Sequence, residues 1–455
     1  MEIIKKANSK VEKIWGKQKR KEDKYRLLSY TLQTKSEEGN LLYNVISGEL
    51  LLLSEEEKAF LDGLPGELPE GILSQTYDAL IEKHFLVPLS YDEGKTVKQL
   101  RQLYSVMKKK KGISGYTILP TTYCNARCFY CYENGIEFTH MTPETAHDLV
   151  NYIETHCQEK KLSLSWFGGE PLLGAKIISQ ISKELEEKGI EYHSSMISNG
   201  IRFDEEMIRE AKECWKLQNV QITIDGTEEI YNEVKNYVDI KKESPYRRIL
   251  KNIRLLSEGD IRVSIRINLG FHNIEDIRAL IKELSEYFAD CKNVSMYVHE
   301  LFDGEGSDPT HYTEEERGQL MELVNDFNQY AEEKGKYEKK KNLPGLSYSH
   351  CMADNDNSVI VYPNGDIVKC EHYDPSKDKA GSIYSEEWNQ EILKSCKEQA
   401  ELPHCLACPL YPSCVQLKKC PETGDCYGVK QEKKLEEAKE NIGLYAKEAL
   451  REEKG

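Results

Sequence analysis

The stretch TTYCNARCFYCYE, residues 121–133, places Cys124, Cys128 and Cys131 in the spacing C-x3-C-x2-C. A four-iron cluster is normally held by four thiolates, so a loop with three leaves one iron open for a cofactor or substrate. The alternative is a zinc knuckle that takes its fourth ligand from elsewhere, for example His140. A predicted strand precedes the loop and an alternating α/β pattern follows it, which favours the iron–sulfur interpretation.

The chain from Gly115 onward alternates between strand-like and helix-like segments. We predict strands at 116–122, 162–167, 192–198, 220–225, 262–269 and 294–301. We predict helices at 142–160, 175–188, 204–215, 246–256, 274–287 and 313–333. Six such units in a row indicate an α/β fold with a parallel sheet, either open or closed into a partial barrel.

Polar residues lie at or near the carboxyl ends of these predicted strands. The cysteine loop follows the first strand, the turn Gly168–Pro171 follows the second, and Ser198-Asn199 ends the third. Asp225 ends the fourth strand and Arg266 lies in the fifth. Because parallel strands end on the same edge of a sheet, and such edges bind ligands, we expect a site there.

The motif Cys124-x3-Cys128-Phe-Tyr-Cys131 resembles the signature of radical S-adenosylmethionine enzymes, including an aromatic residue before the third cysteine. The resemblance covers roughly residues 115–335 and implies a partial (β/α)6 barrel. It implies that the three cysteines hold a 4Fe-4S cluster whose open iron binds the amino and carboxylate groups of S-adenosylmethionine. The cofactor-binding residues that it implies are Tyr130, Gly168, Gly169, Glu170, Pro171, Ser198, Asn199, Asp225 and Arg266.

The cysteines near the carboxyl end resemble the SPASM extension of a subset of these enzymes. The segments Cys351-x13-Gly365-x4-Cys370 and Cys405-x2-Cys408-x5-Cys414 follow its spacing, but five residues, not three, separate Cys414 from Cys420. The resemblance implies two auxiliary 4Fe-4S clusters. The outer cluster takes Cys405, Cys408, Cys414 and Cys426, and the inner cluster takes Cys351, Cys370 and Cys420. The inner cluster then lacks one protein ligand, and we expect it to bind a substrate thiolate; the alternatives are Cys396, water or a carboxylate.

Five segments follow from these patterns. They are an N-terminal winged-helix-like α+β module (1–98), a basic helical linker (99–114), the radical SAM partial barrel (115–335), the cysteine-rich SPASM domain (336–430) and a solvated C-terminal helix (431–455). Beside a radical enzyme, the first module resembles the domain that binds the leader of a ribosomally made peptide as an added strand. A structural cap is the alternative.

Composition restricts the class and partners of the protein. The 455 residues carry 62 Lys and Arg against 78 Asp and Glu, a net charge of −16, which does not favour nucleic acid or an anionic membrane. We see no signal peptide or spanning segment and expect a cytoplasmic protein, where 14 cysteines indicate metal or redox chemistry. A reductase, flavodoxin or ferredoxin is the expected electron donor.

Together the resemblances imply a peptide maturase of the sactipeptide or ranthipeptide type. Such an enzyme joins a cysteine sulfur to a carbon of the same precursor peptide and so forms a thioether. Two alternatives stay open. One is another radical modification, namely a carbon–carbon crosslink or formylglycine formation, and the other is a zinc-stabilised peptide-binding scaffold without catalysis.

Overall fold

The computed structural model describes residues 1–67, 74–109, 111–131, 133, 135–240, 243–301, 312–338, 342–400, 404–420 and 429–452. Within this part the chain forms two compact units. The first unit comprises Met1–Lys109, Lys340–Cys351 and Lys397–Gly455, and the second comprises Lys110–Lys339 and Met352–Cys396. No helix in the described ranges combines the length and the apolar character that crossing a membrane requires.

The strands and helices are numbered in chain order. The strands are β1 (Glu2–Lys5), β2 (Lys24–Leu27), β3 (Thr31–Ser36), β4 (Gly39–Asn44), β5 (Glu49–Leu53), β6 (Gly66–Glu67), β7 (Leu86–Pro88), β8 (Gly115–Ile118), β9 (Lys161–Trp166), β10 (Glu191–Ser198), β11 (Leu217–Thr223), β12 (Arg262–Leu269), β13 (Val294–Glu300), β14 (Ser358–Val361), β15 (Asp366–Val368) and β16 (Gly381–Ser382). The helices are α1 (Ser9–Trp15), α2 (Glu55–Asp62), α3 (Ser74–Glu82), α4 (Glu93–Lys108), α5 (Pro143–His156), α6 (Ala175–Glu187), α7 (Glu205–Glu213), α8 (Glu228–Lys235), α9 (Pro245–Glu258), α10 (Ile274–Tyr287), α11 (Glu314–Glu333), α12 (Gln390–Lys397) and α13 (Val429–Glu452).

The second unit is built on a nine-stranded sheet in the order β13-β12-β11-β10-β9-β8-β14-β15-β16. Strands β8 to β13 are parallel neighbours in sequence order, which confirms the six predicted strands and the α/β class. The crossover helices also lie where the pattern predicted them. The sequence analysis missed α8, a short helix that follows the fourth of these strands.

Helix boundaries in this unit follow ordinary capping chemistry. The Thr142 hydroxyl accepts from the backbone N–H of Thr145, and Pro143 fills the first helical turn of α5. Asp204 caps α7 in the same way, and Thr313 with Glu316 forms a capping box on α11. Because these caps satisfy otherwise unpaired N–H groups, each helix begins at a defined residue and fixes the loop before it.

The two faces of the parallel sheet differ in polarity. Along β9, Leu162, Leu164 and Trp166 are buried in the main hydrophobic core, whereas Ser163 and Ser165 alternate with them and line the other face. A cavity of about 360 Å³ lies against that second face. Parallel sheets are usually covered on both sides by apolar residues, so a polar open face indicates space reserved for ligands.

The first unit contains a four-stranded antiparallel sheet in the order β1-β5-β4-β3 and a smaller sheet, β6-β2-β7. One face of the larger sheet packs on Leu61, Tyr77 and Leu80 of α2 and α3. The other face packs on α13, whose Ile442 and Ala446 are buried. The prediction that the C-terminal helix is merely solvated is therefore wrong, because its apolar stripe completes the core of the N-terminal sheet.

The structure also groups the chain differently from the five predicted segments. The hairpin β14–β15 extends the parallel sheet, with Ser358 opposite Gly115 and Val361 opposite Ile118. Residues 352–396 therefore belong to the second unit, while the segment with Cys405, Cys408 and Cys414 belongs to the first. Sequence spacing does not reveal this division, because it depends on which sheet edge each segment pairs with.

Candidate functional site

The cysteine loop follows β8 on the carboxyl edge of the parallel sheet. The N–H of Thr122 donates to the carbonyl of Thr139 (3.0 Å), and its hydroxyl donates to the carbonyl of Glu137 (2.7 Å). Within the loop the N–H of Cys131 donates to the carbonyl of Cys128 (3.2 Å). These bonds hold the three thiols on one short, anchored segment, as the spacing predicted.

Burial governs the protonation of these thiols. It raises the pKa of Cys124 to about 12 and that of Cys131 to about 11, and it raises the pKa of Cys128 as well. In the described ranges no three His, Cys, Asp or Glu side chains converge closely enough to hold a single metal ion. The thiols of a four-iron cube bind separate irons at separate corners, so this spacing fits a cluster better than a zinc knuckle.

The Gly168-Gly169 turn packs directly against the cysteine loop. A Cβ on Gly168 would lie 2.3 Å from the carbonyl oxygen of Thr121, and one on Gly169 would lie 2.5 Å from the carbonyl carbon of Tyr123. The N–H of Glu170 donates to the carbonyl of Tyr123 (3.0 Å). Only glycine permits this approach, so the turn and the loop form one backbone cradle beside the thiols.

Glu170 joins this turn to the end of the third strand of the parallel sheet. Its Oε1 accepts from the hydroxyl of Ser198 (2.7 Å) and from the N–H of Leu172 (3.0 Å), and its Oε2 accepts from the N–H of Asn199 (2.8 Å). Burial raises the pKa of Glu170 to about 7, although these hydrogen bonds pull it downward. Pro171 begins the short 3-10 helix, Pro171–Gly174, that follows.

Asn199 also contacts the cysteine loop through a residue that the sequence analysis did not single out. Its side-chain amide donates to Oδ1 of Asn125, which lies between the first two cysteines (2.8 Å). The Asn125 amide in turn donates to both carboxylate oxygens of Asp239 (3.2 and 3.3 Å). The structure therefore brings the predicted segments 124–131, 168–171 and 198–199 into one hydrogen-bonded assembly.

Tyr130 and Asp225 meet in a buried polar network with Lys235. The Tyr130 hydroxyl donates to Oδ2 of Asp225 (2.6 Å), and the Lys235 ammonium lies 2.9 Å from the same oxygen. Lys235 also donates to the Tyr130 hydroxyl (3.2 Å), and the backbone N–H of Asn268 lies 3.3 Å from Oδ1 of Asp225. The Asp225 carboxylate is thus surrounded by donors from this chain, and the predicted direct contact with a cofactor stays a prediction.

The neighbours of Lys235 favour its protonated form. Burial alone lowers the pKa of Lys235, but Asp225 and Tyr130 outweigh it and raise that pKa well above its usual value. Burial and the neighbouring carboxylate raise the pKa of Tyr130 as well. The lysine was missed because a single lysine in a short polar helix carries no signal of its long-range partners.

Arg266 projects from β12 near the same edge. Its Nε donates to Oδ1 of Asn268 (2.8 Å), and its Nη2 lies 3.3 Å from Nδ1 of His299. The Tyr297 hydroxyl is a further hydrogen-bonding neighbour. These three neighbours carry no negative charge, and a guanidinium with its five N–H groups suits an anionic partner such as a carboxylate. The predicted cofactor contact of Arg266 stays a prediction.

Three of the predicted auxiliary ligands share one site in the first unit. Cys405, Cys408 and Cys414 line a single small cavity together with Arg101 and Tyr411. The buried Arg101 guanidinium donates to the backbone carbonyls of Tyr411 and Cys414, the latter at 2.7 Å. A side chain of α4 therefore fixes the course of this cysteine segment.

The remaining auxiliary ligands are less concentrated. Cys351 is exposed and lies with Cys420 in the first unit, whereas Cys370 is buried and lies in the second. Cys426 lies outside the described residues. Cys396, the alternative ligand, is buried on α12. The predicted pairing into outer and inner clusters stays a prediction.

Comparison with known proteins shows what the segment at this site is similar to. Residues 118–284 match the family model described as the Radical SAM superfamily. A probable GTP 3′,8-cyclase of Methanocaldococcus jannaschii is 30% identical over 41% of this chain and 59% of that relative. The radical SAM cyclopropyl synthase TigE of Paramaledivibacter caminithermalis is 24% identical over 39% of this chain and 47% of that relative. The chain spans about half of the length of these two relatives.

Solved structures share the fold at low sequence identity. One is native anSMEcpe with bound AdoMet and Cp18Cys peptide, with a TM-score of 0.53 and 15% identity, covering 74% of this chain and 98% of that chain. Another is Streptococcus suis SuiB bound to precursor peptide SuiA, with a TM-score of 0.52 and 16% identity, covering 88% of this chain and 98% of that chain. Both share the fold of this chain.

Proposed function

We propose that the chain is a radical SAM maturase that forms thioether crosslinks, from cysteine sulfur to carbon, within a ribosomally made precursor peptide. The observation that supports it most is the assembly of the cysteine loop, the glycine turn and Glu170 on one sheet edge. Both fold neighbours were solved with peptides bound, which makes a peptide substrate the preferred class.

The residues of the sheet edge fit the proposed cofactors by their donor chemistry. Three thiols bind three irons, and a reduced 4Fe-4S cluster with S-adenosylmethionine supplies a 5′-deoxyadenosyl radical. The Glu170 carboxylate accepts three hydrogen bonds and has room for a fourth, which suits the ammonium of the cofactor. Arg266 suits its carboxylate, and Asp225 holds Tyr130, which the resemblance implies is a cofactor-binding residue, through a hydrogen bond of 2.6 Å.

The polar face of the sheet suits the peptide itself. Ser163, Ser165, His193 and Ser195 line the cavity against this face and offer hydrogen-bonding groups to an extended backbone. The first unit presents β3 as an edge strand, so a leader segment is able to add to its sheet through main-chain hydrogen bonds. The proposed precursor is thus bound by its leader and modified in its core.

The proposed auxiliary clusters supply a site for the reacting sulfur. The resemblance implies that Cys351, Cys370 and Cys420 would hold three irons of an inner cluster and leave one open; metal binding deprotonates and fixes a thiol. The substrate cysteine would occupy that position. A colourless protein that holds zinc instead of about twelve irons per chain would favour a non-catalytic scaffold.

The decisive experiment incubates the anaerobically reconstituted chain with dithionite, S-adenosylmethionine and the small cysteine-containing peptide encoded beside its gene. A thioether lowers the peptide mass by two hydrogens per link and removes a thiol from iodoacetamide labelling, whereas a carbon–carbon link leaves the thiol reactive. Replacing Cys124, Cys128 and Cys131 by Ala should abolish 5′-deoxyadenosine. A matched triple replacement of Cys157, Cys214 and Cys291, which are not implied ligands, should preserve it.

The leader-binding role has its own test. Hydrogen exchange at the amides of β3 should slow when the full-length precursor is added and should not change when the precursor lacks its leader. Deleting residues 1–95 is a poor test, because it would uncover Ile442 and Ala446 of α13. Equal exchange with both peptides would remove the leader-binding role and leave the radical chemistry standing.

A further inference from the structure

Lys235 is buried directly beside the cysteine loop. It is the last residue of α8, and the following Asn236 ends the helix in a left-handed conformation (φ 40°, ψ 60°). Its carbonyl accepts from the N–H of Arg127 (2.8 Å), within the C-x3-C segment. Both its backbone and its side chain therefore contact the loop that carries the cluster ligands.

Burying the charged side chain of Lys235 costs desolvation free energy. Its exposed fraction is 4%, and that of its partner Asp225 is 0%, so both charges have left water. A buried ion pair is a poor source of stability, because desolvation offsets most of the attraction between the charges. Because the Lys235–Asp225 pair adds little stability, we look for its role in the effect of the charges on the neighbouring cysteine loop.

The ammonium lies against the segment that carries the implied cluster ligands. It donates to the Tyr130 hydroxyl (3.2 Å) and lies 5.8 Å from the centroid of that ring. Tyr130 stands between Cys128 and Cys131 in the sequence, and Arg127, which bonds the carbonyl of Lys235, directly precedes Cys128. A fixed positive charge is therefore buried beside the segment that holds two of the three thiols.

We propose that Lys235 is a positioning residue that fixes Tyr130 of the cysteine loop in place and supplies a buried positive charge that makes the bound cluster easier to reduce. The inference rests on the proposed cluster. Adding one electron makes a cluster more negative, and a nearby cation in a dry environment stabilises the reduced form more than the oxidised form. Asp225 orients the ammonium directly (2.9 Å), and the Tyr130 hydroxyl contacts both groups.

The test is a mediated redox titration followed by electron paramagnetic resonance on the full, reconstituted chain. The radical cluster is recognised as the one whose signal changes when S-adenosylmethionine is added. Lys235→Gln keeps a hydrogen-bond donor and removes the charge, and it should lower the equilibrium constant for one-electron reduction about tenfold, a shift of about 59 mV. Lys235→Arg keeps the charge and should stay within threefold of the parent.

Lys336→Gln is the matched control. Lys336 is also buried, but among the residues that the structure describes its ammonium donates to the backbone carbonyls of Phe288 (2.6 Å) and Cys291 (2.9 Å) and to no residue of the cysteine loop. Its loss should leave the reduction equilibrium unchanged. If Lys235→Gln does not fold, Asp225→Asn/Lys235→Gln leaves no unpaired charge and should shift the equilibrium in the same direction, because the ammonium lies 5.8 Å from the centroid of the Tyr130 ring, whereas Asp225 contacts Tyr130 through its hydroxyl.

Each outcome decides the inference. A reduction equilibrium within twofold of the parent in Lys235→Gln, or in the double variant when it replaces it, would overturn the role of the charge. An equal shift in Lys336→Gln would do the same, since any buried lysine would then suffice. A parent protein without the cofactor-sensitive signal would overturn the proposed function, and the inference with it.

Discussion

Replacing Gly169 by alanine adds one methyl group between two segments that must stay close together. That methyl carbon would lie 2.5 Å from the carbonyl carbon of Tyr123 and 2.6 Å from the carbonyl oxygen of Thr122, whereas ordinary contact begins near 3.4 Å. The segments must separate by about 0.9 Å to remove the overlap. Both colliding atoms belong to backbone, so no side-chain rotation relieves the clash.

The hydrogen bonds between the two segments set the free energy that Gly169→Ala should cost. Two hydrogen bonds hold the segments at their present distance, from the N–H of Gly169 to Thr121 (3.3 Å) and from the N–H of Glu170 to Tyr123 (3.0 Å). Stretching both beyond hydrogen-bonding range costs about 3 kcal/mol, because each leaves a buried donor unpaired. That corresponds to a Tm lower by about 6–12 °C for a unit of this size. A displacement of the cysteine loop near 1 Å should also slow 5′-deoxyadenosine formation about 100-fold.

Alanine substitutions at two other glycines distinguish a steric clash from backbone strain. Gly189→Ala meets open space but has a positive φ of 66°, so it reports backbone strain alone, about 1–2 kcal/mol. Gly318→Ala also meets open space, on helix α11, and should be neutral or slightly stabilising. Thermal melts, iron content and 5′-deoxyadenosine are measured on all three variants. A Gly169→Ala protein within 2 °C and threefold of the parent would refute the close-packing argument (~0.9 Å of forced separation).

Three further predictions concern the first unit. Burial lowers the pKa of His84, and its Nδ1 has no hydrogen-bond partner among the described residues. The neutral form of His84 therefore stabilises the folded protein, and this contribution is full above pH about 6.5 and decreases as the pH falls below that value. In thermal melts between pH 5 and 8, His84→Gln should lose this dependence of Tm on pH. Ile442→Ala should cost about 2–5 kcal/mol in denaturant unfolding and Lys439→Ala less than about 0.5, and equal effects would contradict the packing of α13. Arg101→Met should remove about four irons per chain through loss of its carbonyl bonds, whereas the exposed Lys95→Met should remove none.

The sequence predicted the parallel sheet and its binding edge well because both depend on local patterns. Apolar strands such as Arg262–Leu269 are bounded by turn residues, and a parallel topology places their carboxyl ends together whatever the details of the loops. The cysteine spacing and the Gly-Gly-Glu turn are likewise contiguous in sequence. Their mutual contact follows from the adjacency of β8 and β9.

The elements that were missed depend on contacts between distant residues. Lys235 meets Tyr130 across 105 positions of sequence, and nothing near it distinguishes it from the other basic residues. Asn125 looks like an ordinary loop residue in the sequence, and its role becomes visible only through its hydrogen bonds to Asn199 and Asp239. The C-terminal helix looked solvated because Ile442 and Ala446 form a narrow apolar stripe among Glu and Lys. In each case the partner, not the residue type, defines the role.

Glu170 links the protonation of the site to cofactor binding. Its carboxylate already accepts three hydrogen bonds, and a fourth acceptor position can receive an ammonium only when the group is ionised. Burial raises the pKa of Glu170 to about 7, so below that pH a proton must leave before the cofactor binds.

The affinity for S-adenosylmethionine should therefore fall about tenfold for each pH unit below 7 and stay constant above it. Calorimetry in two buffers of different ionisation enthalpy should show about one proton released per cofactor bound at pH 6 and none at pH 8. Glu170→Gln should bind more weakly and without this pH dependence. Equal affinity of the parent at pH 6 and pH 8, with no proton release, would mean that the ammonium is bound elsewhere and that Glu170 serves only to tie the glycine turn to Ser198 and Asn199.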